Sequence, residues 1–146
     1  MARVSGIIAS VVAAAVVLSA TSPGMARADM MSACKSDIAS YCPDVSRGRG
    51  RISACLFSRS ATLSADCKPE VATVARKGES SLLVPSSVRR LLGSGNAPAV
   101  PSACSADAGK VCSGVDGGSR NVLACLYART DSVSAGCASA VDAALR

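Results

Sequence analysis

Eight cysteines are the residues best placed to do chemistry in this chain. Cys34, Cys42, Cys55 and Cys67 recur 70 positions later as Cys104, Cys112, Cys125 and Cys137, with the same steps of 8, 13 and 12 in both halves. Four thiols per half could form two disulfides, hold zinc or copper(I), or cycle electrons. The spacing disfavours zinc, because structural zinc sites present cysteines two to four residues apart and none stands so here. It disfavours redox catalysis too, since no C-x-x-C pair is present to lower a thiol pKa. An even cysteine count behind an export leader points instead to a disulfide framework in an oxidising compartment.

Other reactive residues are few. With no histidine in the chain, the usual general base, the Ser-His and Cys-His nucleophiles and imidazole ligation all drop out. Asp37, Asp107, Asp44, Asp66 and Glu70 are the candidate carboxylates. Gly114, Gly136 and Ala140 replace Asp44, Asp66 and Glu70 in the second half, so a paired-carboxylate site would exist once at most. Asp37/Asp107 and Arg59/Arg129 are charges present in both halves. Their functional reading is a polar contact surface repeated twice. The plainer reading is an ion pair between first and second helices, or two solvated charges, contributing about 0–1 kcal/mol. Arg47, Arg49 and Arg51 form a basic cluster that an anionic partner could use, although a solvated loop explains it as well. No catalytic residue, cofactor site or metal site is assigned.

The elements that must position the cysteines read as helices. Cys34, Ile38, Tyr41 and Cys42 share one face of a first helix, with Ser32 as its N-cap and Pro43 as its stop. Ile52, Cys55 and Leu56 mark a second helix ending near Ser60. A third opens at Ser64 or a few residues later, carries Cys67, Val71 and Val74 inward, and is capped by Gly78. Cys104, Ala108, Val111 and Cys112, then Val122, Cys125 and Leu126, then Cys137, Val141 and Leu145 repeat the plan. Residues 32–76 and 102–146 share 16 identities in 45 positions.

This geometry limits the bridges. Eight helical residues separate Cα atoms by about 12 Å, whereas a disulfide tolerates less than about 7 Å, so Cys34 cannot bond Cys42. Two connectivities remain per module. An up-down-up path favours the nested one, Cys34–Cys67 with Cys42–Cys55 and Cys104–Cys137 with Cys112–Cys125, over the crossed one.

Residues 78–100 are rich in Ser, Gly and Pro and read as a linker. Ser87 would cap a short helix through Val88, Leu91 and Leu92, closed by Gly93, and Gly93 to Pro101 reads as a tether. Leu82, Leu83, Leu91 and Leu92 are too apolar for a pure linker and are expected to pack on one module. Residues 1–28 read as an export signal: basic Arg3, an apolar stretch Gly6 to Ala20, a break at Ser22-Pro23-Gly24, and the cleavage motif Ala26-Arg27-Ala28. The apolar stretch is shorter than the roughly 20 residues of a spanning helix. Cleavage before Asp29 would leave 118 residues with 14 basic and 10 acidic side chains, a net charge of +4. Tyr41, Phe57 and Tyr127 are the only aromatics, too few for the stacking platforms of a nucleic-acid binder.

The run Cys34-x7-Cys42-Pro43-Asp44-Val45, then Gly-Arg-Gly-Arg-Ile before Cys55-Leu56, then Leu63-Ser64-x2-Cys67, resembles the cysteine-rich repeat of Golgi apparatus protein 1, also described as the cysteine-rich fibroblast growth factor receptor. Short exported bacterial proteins with a few such repeats look similar, and two copies behind an alanine-rich leader fit that branch. The second module departs from the pattern, with Ser113-Gly114 for Pro-Asp and Val133 for Leu. The resemblance implies helical, disulfide-linked repeats in a secretory or periplasmic setting and supplies no catalytic residues.

The expectation is an all-α protein of two tandem disulfide-linked three-helix modules, with a signal peptide at 1–28, repeats at 29–77 and 101–146, and a linker at 78–100 holding a short helix. It would be periplasmic or secreted and non-enzymatic, with an interaction or structural role toward an unknown protein or anionic ligand. It would bind no nucleic acid and leave no membrane span once the leader is cut. Its oligomeric state is open. The alternative is a thiol-based metal (copper or zinc) binder or redox buffer.

Overall fold

The computed structural model describes residues 30–76, 85–93 and 96–146. The leader, Gly78, Leu82 and Leu83 lie outside the described residues, as do the expectations placed on them. Among the described residues the structure is all-helical, with no strand. The helices are α1 (Lys35–Tyr41), α2 (Arg51–Ser58), α3 (Cys67–Arg76), α4 (Ser86–Gly93), α5 (Ser105–Val111), α6 (Gly118–Ala128) and α7 (Ala135–Ala144), with 3-10 turns at Ser102–Cys104 and Thr130–Ser132.

Local chemistry explains most boundaries. In α1 the Cys42 N–H still reaches the Ile38 carbonyl, and Pro43 then removes the next donor. Ser32 is not the cap expected of it. Residues 30–33 are already helical and Cys34 holds the N-cap position of α1 with no side-chain bond. Gly50, in the left-handed region at φ 73°, opens α2. Preceding Gly48 and Arg49 are left-handed as well, so α2 begins three repeat positions later than its counterpart α6, and it ends at Ser58 rather than Ser60. Ser64 and Ser134 perform the same task in the two modules: each hydroxyl accepts the N–H of the cysteine three residues on, at 3.3 Å for both Cys67 and Cys137.

Each module folds up, down and up, and the sulfurs staple it at both ends. Cys34 bonds Cys67 and Cys104 bonds Cys137, with Cα separations of 4.6 and 4.7 Å. Cys42 bonds Cys55 and Cys112 bonds Cys125, at 6.2 and 5.9 Å. Closed loops of this length contribute about 3 kcal/mol for the shorter bridge and nearly 4 for the longer, on the loop-entropy account.

The two modules do not hang apart on a tether. Their buried apolar residues form one continuous cluster, and the most extensive helix contact in the molecule is α2 of the first module against α6 of the second. Ala54, Leu56, Leu123, Ala124 and Leu126 are fully enclosed along these two helices. Helix α4 was expected to pack on one module; it packs on both. It touches α2 and α3 on one side and α6 on the other, with Val88, Leu91 and Leu92 buried.

Candidate functional site

The residues repeated in both modules resolve into two constructions. The first lies inside each module. Asp37 on α1 is only 5 % exposed. One of its oxygens accepts the Ser64 backbone N–H at 2.9 Å and the other the Ser64 hydroxyl at 2.6 Å. Asp107 takes both donors of Ser134 on a single oxygen, at 3.2 and 2.7 Å, and is less enclosed. Each aspartate thus orients the serine that caps the third helix, one turn from the cysteine that bridges back to the start of the first. The chain Asp–Ser–Cys is a structural clasp, and in the first module both carboxylate oxygens of Asp37 are taken up by Ser64.

The second construction joins the modules. No Asp37–Arg59 ion pair forms. Each group has another partner, because the Arg59 side chain runs past Tyr41 of its own module and ends on the second. Its guanidinium donates to the carbonyls of Ser113, at 3.0 Å, and Gly114. Arg129, the same repeat position, reaches the opposite way and donates to the Tyr41 carbonyl at 2.9 Å. Arg129 thus takes a carbonyl in the last turn of α1, where backbone acceptors are left without intrahelical partners and the helix dipole is negative, and Arg59 takes two in the turn just beyond α5. The Arg59 guanidinium also lies 5.9 Å from the centre of the Tyr41 ring, within range of a cation–π contact. Tyr41 thereby meets both arginines, one at its ring and one at its carbonyl.

Two further contacts cross the same face without a repeat-related twin. Asp131 accepts from Arg51 at 2.7 Å and from the Ser46 hydroxyl at 2.6 Å. The Ser46 bond, ahead of the Arg51 charge, holds the Asp131 carboxyl below its usual range. The Tyr127 hydroxyl donates to the Arg49 carbonyl at 2.6 Å, and burial pushes its pKa up. The basic turn of the first module is consequently not a uniform solvated cluster. Arg51 turns inward onto the second module, Arg49 offers it a carbonyl, and Arg47 stays exposed. Sequence periodicity contains no signal for Tyr127 or Asp131, since neither is repeated: Phe57 and Ala61 stand at the matching positions.

The chemistry open to this arrangement is recognition between backbones and charges. All eight sulfurs are in bridges, which favours a disulfide framework over a thiolate metal site. Among the described residues no group of three or more His, Cys, Asp or Glu could hold a metal ion. No helix among them is long and apolar enough to cross a membrane. An open depression of about 360 Å³ lies between Phe57, Ala97 and the start of α6 at Gly117, Ser119, Arg120 and Asn121.

A family model described as the cysteine rich repeat matches residues 26–64. The match covers the first module from before Cys34 to the capping Ser64, including α1, α2 and the Cys42–Cys55 bridge. No curated protein and no solved structure matches the chain.

Proposed function

We propose that this chain, whose first module carries the cysteine rich repeat, is an exported, non-enzymatic protein of two such repeats that acts in the periplasm or outside the cell as an interaction or structural element. The observation that carries the reading is the consumption of every cysteine in bridges internal to a module. Such bridges persist in oxidising compartments and are reduced in the cytosol. The absence of histidine from the sequence supports a non-enzymatic role. So does the engagement of the repeated charges, Asp37, Arg59, Asp107 and Arg129, in holding the backbone. The leader-like run at 1–28 supports export.

Expression of the full chain with its leader, followed by fractionation, intact-mass measurement and thiol titration, tests this directly. The expected product begins at Asp29, has the mass of four disulfides and shows no free thiol. Several free thiols with bound copper or zinc would return the metal-binding reading. A turnover activity abolished by changing one non-cysteine polar residue would end the non-enzymatic one.

A further inference from the structure

We infer that the face joining the modules is a repeat-recognition surface with a pairing code: a first-type repeat takes a second-type repeat, on the same chain or on a second copy of it, and neither type takes its own kind. This rests on the interaction role proposed above and names the partner's chemistry.

The attraction is nearly symmetric. α2 and α6 are the same helix of the repeat and pack on each other. Arg59 and Arg129 are the same position and each reaches backbone carbonyls around the end of the opposite first helix, Arg129 at Tyr41 and Arg59 at Ser113 and Gly114 in the turn beyond it. A face built this way approaches the self-complementarity of a two-fold interface, so on these contacts alone any two repeats would pair. Discrimination comes from the contacts without twins. In a first–first pair Arg51 would face Ala61 in place of Asp131, stranding a guanidinium whose side chain is only 17 % exposed. Phe57 would replace Tyr127 and lose the bond to the Arg49 carbonyl. In a second–second pair Asp131 would meet Asp116, the counterpart of Ser46, and Asn121, the counterpart of Arg51. A like-charge encounter then replaces a hydrogen-bonded ion pair, the usual way an interface rejects a wrong partner.

Nothing covalent except the connecting backbone holds the modules together, because all four bridges are internal. The full chain can therefore be folded, oxidised and then cut at a protease site introduced between residues 78 and 84, which leaves α4 with the second half. Thiol titration and circular dichroism before cutting establish that each variant is folded. The cut halves are expected to stay together on size exclusion at micromolar concentration. Mixed with an isotope-labelled cut chain, they should exchange into first–second pairs only, as read by native mass spectrometry. Arg129→Ala should weaken the association about 10- to 100-fold, the range for losing a hydrogen bond to a charged group. Asp131→Asn, at an exposed position, should let second–second pairs appear while circular dichroism and thiol titration remain those of the wild type. Halves of the folded wild-type chain that separate on cutting would overturn the recognition surface. First–first or second–second pairs in the wild type, or none with Asp131→Asn, would overturn the code. Either failure leaves the export and disulfide tests of the previous section untouched.

Discussion

Asp37 and Asp107 occupy the same repeat position and hold the same kind of serine, yet their removal should differ in cost by about 2 kcal/mol. Asp37→Ala takes away two charge-assisted bonds, one on each carboxylate oxygen, at a site 5 % exposed. The Ser64 N–H and hydroxyl lose their acceptors where water has little access, and the cap of α3 loses its orientation. Hydrogen bonds to charged groups contribute about 1.5–3 kcal/mol each and share one donor residue here, so the cost is about 2–4 kcal/mol. Asp107→Ala removes two bonds from one oxygen of a partly buried carboxylate. Water can replace that oxygen, which brings the cost to about 1 kcal/mol. Urea unfolding of the intact, oxidised chain measures both, with an unchanged slope showing that the same surface is exposed on unfolding. Asp37→Asn, which keeps one acceptor, should fall between wild type and Asp37→Ala. Equal costs for the two alanine variants, or a larger one at Asp107, would refute the reasoning that enclosure sets the strength of this clasp.

Four other outcomes concern the interface and the helix that bridges it. The depressed Asp131 carboxyl contributes stability that is complete above the ordinary carboxylate range and lost as pH falls through its lowered value. Asp131→Asn should therefore flatten the acid limb of a stability–pH curve. The raised Tyr127 hydroxyl has the opposite sign: its contribution is complete below the ordinary tyrosine value near 10 and lost as pH rises through the folded one. Tyr127→Phe should lower stability by about 1 kcal/mol at neutral pH and remove that alkaline loss, measured by thermal melts from pH 8 to about 11. Leu91, fully enclosed on α4 where that helix bridges the modules, should cost about 2–5 kcal/mol on change to alanine. Ser87→Ala on the same helix should cost about 1 kcal/mol or less in the same denaturation series.

The limits of reading this chain as a sequence show best at particular residues. Leu56 and Leu126, or Val71 and Val141, declare an inward helix face because burial imposes a helical period that any sequence must obey. The bridges were bounded in the same way, since a helix separates Cys34 from Cys42 by more than a disulfide can span. Asp37 and Arg59 had no such constraint. Both are charged, both recur, and the plainest inference paired them with each other. Only the packed arrangement sends Asp37 to Ser64 and Arg59 across to Ser113 and Gly114.

By itself, then, the chain determined its helices, its two-fold repetition and the reach of its sulfurs, all of which follow from local geometry and short loops. The tertiary structure decided that α2 lies against α6, that α4 is shared, and that Tyr127 and Asp131 join the face between modules. Contacts between segments about 80 residues apart leave no periodic trace, because their partners are chosen by shape and charge across the two modules and not by any local repeat.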